Sequence, residues 1–406
     1  MKKLSLLLLL LSVVAQKPFA QNNATVVAFT KSLEKEKNQD YLAAIKALTD
    51  LHDSTSYEVV LRLGWLNYKA GYKKKSIKYY QKAIDAQPKA IEPRIGIGFP
   101  TYELENFADL IEQDKKILEI DPNNKTTNSN LGLIYYYDKK YKQALPHFQR
   151  VVDLYPFDYN NNLMLGLTCV RLGKNVEAEK YLHVTLLFSP GDVAAKEGLE
   201  AIGKTVSEDD KVTNAFAQSY ELANKPDYKG AINVLKEIYD KDSYFINLRL
   251  GWLYHLSGSE IEAGTYYKIA STILPNAIEP KLGFVIPAEV TGNKNDQKNE
   301  YESILTLDPQ NTLAHYKLGL LHYGKKEFQL AFDHFEKVVT LYPFDFDGVL
   351  MFAWANYQTG KTQESHQWFY RTLCLVPDNV SAKQGLSLKP VEEQNQLDHK
   401  EIIKPK

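Results

Sequence analysis

Residues 130–156 read "NLGLIYYYDKKYKQALPHFQRVVDLYP". Apolar side chains recur at helical spacing on both sides of a polar break at Asp138–Lys140, which predicts two antiparallel helices joined by a tight turn. Gly132 in the first helix and Ala144 in the second let the two backbones approach closely. Pro156 has no N–H to donate and disfavours helix in the residue before it, so the second helix stops there.

The same pattern steps along the chain. Prolines stand at Pro88, Pro122, Pro156 and Pro190, each 34 residues after the last, and again at Pro275, Pro309, Pro343 and Pro377. Glycines keep that step at Gly64, Gly98, Gly132 and Gly166; the second series keeps Gly251 and Gly319 but has Val285 and Ala353 elsewhere. A helix pair of this size cannot bury its apolar face alone, so the pairs must stack. A longer offset overlies the short one. The word "LYPFD" at 154–158 returns at 341–345, 187 residues on, and the same offset carries "AIEP" from Ala90 to Ala277 and "LRLGWL" from Leu61 to Leu248. No gap is needed from Ala28-Phe29 (onto Ala215-Phe216) to Gly198-Leu199 (onto Gly385-Leu386). The repeated word therefore reads as the trace of a tandem duplication and not as a private motif.

Leu131-Gly132, Tyr135, Tyr141, Ala144, Phe148 and Pro156 resemble the tetratricopeptide-repeat (TPR) family in residue type and spacing. The resemblance covers roughly residues 23–390. It implies an all-α fold, a TPR-type helix-hairpin solenoid (superhelix) in two homologous halves of about five repeats each. The divergent first repeats are marked by "DYLAAI" at Asp40 and "DYKGAI" at Asp227. We expect half 1 at 23–203, half 2 at 204–388, each ended by a closing helix, and a flexible tail at 389–406. The polar segment 203–211 is either a hinge or part of a continuous superhelix.

Residues 1–20 place two lysines before a short apolar run and small residues, the pattern of a signal peptide cleaved after Ala15 or Ala20. No later run reaches membrane-spanning length. The expectation is an exported protein, periplasmic or secreted, and soluble. Lys plus Arg (49) almost cancel Asp plus Glu (50), which leaves no electrostatic footprint for a nucleic acid. The two cysteines, Cys169 and Cys374, fall at non-equivalent positions and read as small buried apolar residues, although a long-range bridge stays open.

No phosphate loop, metal-ligand spacing or nucleophile elbow is present, so no catalytic residue, metal site or cofactor is expected. Of nine histidines, His147 and His334 are duplicates, and His315 and His322 lie two turns apart on one helix face. Packing is the default reading for all of them. Tyrosine is frequent at 27 residues. The family register places Trp65, Tyr68, Phe99, Tyr102, Tyr136, Tyr137, Trp252, His255, Tyr316, Tyr323, Trp354 and Tyr357 on the inner, partner-binding face of the first helices. Large rings with polar tips suit recognition of a peptide or a sugar, and equally suit packing between helices. The family's carboxylate clamp uses Lys and Asn where this chain has Leu61 or Leu248 and Trp65 or Trp252, so that device is missing. Arg62 and Arg249 beside them can hold an acidic group or stand as solvated charges. Pro100 and Pro287, well inside their helices, are expected to break or kink them. The function implied is a non-enzymatic scaffold for a protein or peptide partner in the cell envelope; the alternative is a glycan or cell-wall-fragment binding module.

Overall fold

The computed structural model describes residues 23–51, 55–205 and 210–389. The signal segment expected at 1–20 lies outside them, as do residues 206–209 of the expected hinge and all of the tail but Lys389. The described residues hold twenty-two helices, α1 (23–37) to α22 (Val380–Ser387), and no strand. None is long and apolar enough to cross a membrane.

The quoted stretch is α7 (Lys125–Tyr137) packed on α8 (Tyr141–Leu154), with Lys139 at φ 57° in the turn between. The glycine has a sharper purpose than backbone approach. A Cβ on Gly132 would sit 2.5 Å from the ring of Phe148, so the missing side chain is the slot for that buried ring. The helix through Pro100, α5 (Glu92–Glu103), and its counterpart α16 (Glu279–Val290) do not break as expected. Pro100 stands three residues from the end, so one hydrogen bond is forgone and the Leu104 N–H closes on the Pro100 carbonyl at 3.1 Å.

Two compact units emerge, and they do not follow the two copies. Unit 1 joins residues 1–120 with 315–406; unit 2 is residues 121–314 and contains the junction between the copies. Each unit thus combines a piece of both copies, and each is held by the same dock.

In unit 1, the final carbonyl of α19 (Phe328–Leu341) accepts the Ile91 N–H at 2.8 Å. Helix ends leave such groups orphaned, and here the C-terminus of one helix meets the N-cap of another. Glu92 then accepts the Phe344 N–H at 3.0 Å and the Tyr57 hydroxyl at 2.9 Å. The Phe344 ring meets Phe29 edge-on at 5.9 Å. In unit 2 the partners are those 187 residues away: Ile278 N–H to the Leu154 carbonyl at 2.7 Å, Phe157 N–H and Tyr244 hydroxyl to Glu279 at 3.0 and 2.9 Å, and Phe157 to Phe216 at 6.1 Å. The repeated word is therefore more than a trace: "LYPFD" of each copy seats on "AIEP" and on the first helix of the other.

Candidate functional site

Trp65 and Tyr68 come from α3 (Tyr57–Lys69), and Phe99 and Tyr102 from α5, the next first helix in unit 1. Their rings make a row, Trp65 to Tyr68 at 5.9 Å and Tyr68 to Phe99 at 5.8 Å. The Tyr68 hydroxyl donates to Glu103 at 2.6 Å, and Lys73 pairs with the same carboxylate at 2.7 Å. These donors, Lys73 first, lower the Glu103 pKa, while the bond to Glu103 raises that of Tyr68. The row ends in solvent: Phe99 is 47 % exposed and Tyr102 62 %, with Ile95, Leu104 and Phe107 exposed around them. An apolar face of this kind on a helix that is otherwise packed is unusual unless something covers it.

In unit 2, Tyr137 of α7 is 75 % exposed and stands edge-on to Tyr136, which also meets Tyr141 at 5.4 Å. Trp252, on α14 (Tyr244–Leu256), is 41 % exposed, and beside it the His255 ring bonds Glu260 at 3.0 Å. The other sequence candidates are drawn inward. Tyr316 and Tyr323 pack on Phe335 and Phe328 at 5.9 and 5.2 Å. Trp354 lies against Phe369 and donates to Ser381, and Tyr357, 4 % exposed, donates to the Lys389 carbonyl. The reason is the closing helix: α22 brings Ser381 onto α20 (Phe346–Gln358), so the final repeat has no open first-helix face. Arg249 is buried at 7 % exposure, and Arg62 is paired with Glu36; neither is the solvated charge considered from sequence.

Sequence reasoning missed Glu36, whose carboxylate takes the Trp65 indole N–H at 2.6 Å as well as Arg62. It also missed the histidine row of unit 1. His334 lies between His315, at 3.0 Å between Nδ1 atoms, and His322, whose ring stacks on it at 5.5 Å. The first copy holds Asn128, His147 and Tyr135 in those places, with His147 bonded to Asn128 and stacked on Tyr135. The row is thus a variant of a packing cluster, and no group of three ligands poised for a metal occurs among the described residues. Both cysteines are buried and unbridged, and burial pushes the Cys169 thiol up to about 11.

Each unit also has a cleft beside its dock, 480 Å³ around Pro88, Lys89 and Trp368 in unit 1 and 640 Å³ around Pro275, Asn276 and Tyr181 in unit 2. Burial raises the carboxyls of Glu92, Asp114 and Glu279 to about 7 and that of Asp121 to about 6. None of these carboxyls lines either cleft.

Family models described as tetratricopeptide repeat match residues 57–89, 129–192 and 298–346. The chain is 23% identical over 312 residues to a TPR repeat-containing protein of Methanocaldococcus jannaschii, covering 65% of this chain and 53% of that one. It is 22% identical to DnaJ homolog subfamily C member 3 of Rattus norvegicus, covering 62% and 43%. The chain spans about half the length of these curated relatives. Among solved structures, a tetratricopeptide repeat protein from Parabacteroides merdae is 14% identical with a TM-score of 0.38, over 65% of this chain and 99% of that one. A MamA fragment from Desulfovibrio magneticus is 17% identical with a TM-score of 0.36, over 42% and 97%.

Proposed function

Taking as premise that the chain belongs to the tetratricopeptide-repeat family, we propose that it is an exported, non-enzymatic scaffold that holds a protein or peptide partner on its first-helix aromatic faces. The observation that carries this reading is the row from Trp65 through Tyr68 to the exposed Phe99 and Tyr102. Rings of this size gain large contact area for little lost freedom, and the dock behind α5 holds their helix in place before any partner arrives. Tyr136, Tyr137 and Trp252 supply a second set in unit 2.

The test is affinity capture from the cell-envelope fraction with the wild-type chain and with a Phe99→Ala, Tyr102→Ala variant, whose exposed positions leave the melting temperature unchanged. The reading predicts that wild-type partners are lost or reduced about tenfold in the variant. Equal capture by both would remove these rings from the binding site. The glycan reading is favoured by one feature, the unit 2 cleft, where Tyr181 lies among Gln149, Arg150, Asp153 and Asn162. Calorimetric heat with oligosaccharides, and no protein captured, would move the assignment there.

A further inference from the structure

The two copies treat one carboxylate differently. In the first copy Glu36, near the end of α1, accepts the Arg62 guanidinium on Oε2 and the Trp65 indole N–H on Oε1. With Arg62 drawn to Glu36, its own Nε and the buried hydroxyl of Ser32 are left without partners. The 187-residue offset carries Ser32, Arg62 and Trp65 onto Ser219, Arg249 and Trp252, but it carries Glu36 onto Ala223.

Without that carboxylate Arg249 folds back onto α12 (Lys211–Asn224). Its Nε and Nη2 donate to the hydroxyl and carbonyl of Ser219, both at 3.4 Å, and its guanidinium carbon lies 3.9 Å from the Tyr220 ring centroid. Bonds of that length are long for a charged donor. No carboxylate pairs with Arg249 among the described residues, and burial lowers its pKa, so the guanidinium is held in place at a desolvation cost. Trp252 nevertheless keeps the pose of Trp65. Its ring stands 5.7 Å and 49° from His255, as Trp65 stands 5.9 Å and 48° from Tyr68. What differs is cover: Trp252 is exposed where Trp65 is half-buried beside Glu36.

We propose that Arg249 and Trp252 form a receptor for a carboxylate brought by a bound peptide, as an acidic side chain or a terminal carboxylate, which occupies the place that Glu36 fills in the first copy. The proposal rests on the peptide-scaffold reading and names one chemical group its partner must carry. The guanidinium leaves Ser219 for one oxygen while the indole N–H takes the other, the two-donor arrangement already present at Glu36. Arg suits the task because its planar fork stays charged and engages a carboxylate edge-on.

The test uses the full chain with its four tryptophans labelled at the indole nitrogen, the Trp252 resonance being assigned by Trp252→Phe. Three capped probes are titrated: acetyl-Gly-Glu-Gly-amide, acetyl-Gly-Gly-Gly with a free terminal carboxylate, and acetyl-Gly-Gln-Gly-amide. The Trp252 signal is expected to move saturably with a carboxylate probe, about tenfold tighter than with the glutamine probe. Whichever carboxylate binds more tightly identifies the source. Arg249→Gln abolishes the difference. Ala223→Glu, which restores a carboxylate within the chain, shifts the same resonance with no probe added and weakens probe binding about tenfold. A signal moved by Ala223→Glu and by neither carboxylate, or moved equally by the glutamine probe, overturns the receptor; a signal that Ala223→Glu leaves in place overturns the equivalence of the two sites. Neither result depends on Phe99 and Tyr102, so a failed capture experiment and a failed titration are told apart.

Discussion

Asp114 stands where the second copy has Tyr301, and Gly98 stands where it has Val285. The aromatic ring that fills the slot between paired helices elsewhere is replaced by a buried carboxyl whose Oδ2 has no partner. Burial alone raises its pKa from 3.8 to about 7. Folded Asp114 therefore keeps a proton that the unfolded chain releases above pH ~4, and stability falls as pH climbs from ~4 to ~7 and stays low beyond. Asp114→Asn removes that dependence. Urea unfolding at pH 5 and pH 8 should show the variant gaining on wild type by on the order of 2 kcal/mol over that interval; parallel pH profiles would mean the carboxyl is solvated. The same scale shows what sequence register can and cannot say. Trp65, Tyr68, Phe99 and Tyr102 emerge together as read, because helical spacing fixes which residues share a face. Tyr357 and Arg249 share the register and are buried, because exposure depends on what packs opposite, and for Tyr357 that is the segment around Lys389.

At the scale of the helix, the dock is where local and long-range structure meet. Pro343 ends α19 on schedule, which leaves the Leu341 carbonyl free for Ile91 and presents the Phe344 N–H to Glu92. Glu92 sits in the first turn of α5, where the helix dipole favours a carboxylate, although burial still raises its pKa to about 7. Glu92→Ala leaves both the Tyr57 hydroxyl and the Phe344 N–H buried without an acceptor and should cost about 3 kcal/mol in chemical unfolding. Glu92→Gln keeps an acceptor without the charge; it should be near neutral at pH 5 and no worse than wild type at pH 8. Equal losses for the two substitutions would mean that the side chain only fills space. Helix hairpins were legible in the sequence because the 34-residue step records contacts within and between neighbouring repeats. The dock was not, since its partners lie about 250 residues apart in unit 1 and periodicity carries no information about such pairs. Its signature was nevertheless visible, as "LYPFD" and "AIEP" kept unchanged in both copies.

At the scale of the whole chain, duplication produced two equivalent docks, and each compact unit contains one of them with a contribution from either copy. A scaffold assembled this way gives its aromatic first helices support from two directions, the preceding hairpin and the other copy, which keeps a binding face ordered before it is used. Ion pairing reinforces unit 1, where Arg371 reaches Glu58 and stacks on Trp368 at 4.3 Å; in unit 2 the corresponding places are held by Val184 and Phe245. The most direct measurement is to place a specific protease site at residues 206–209, cut the folded full-length chain there, and pass it over a sizing column at micromolar concentration. Crosswise docking predicts that the two fragments elute together at the volume of the uncut chain and separate only in denaturant. Fragments that part under native conditions would contradict it.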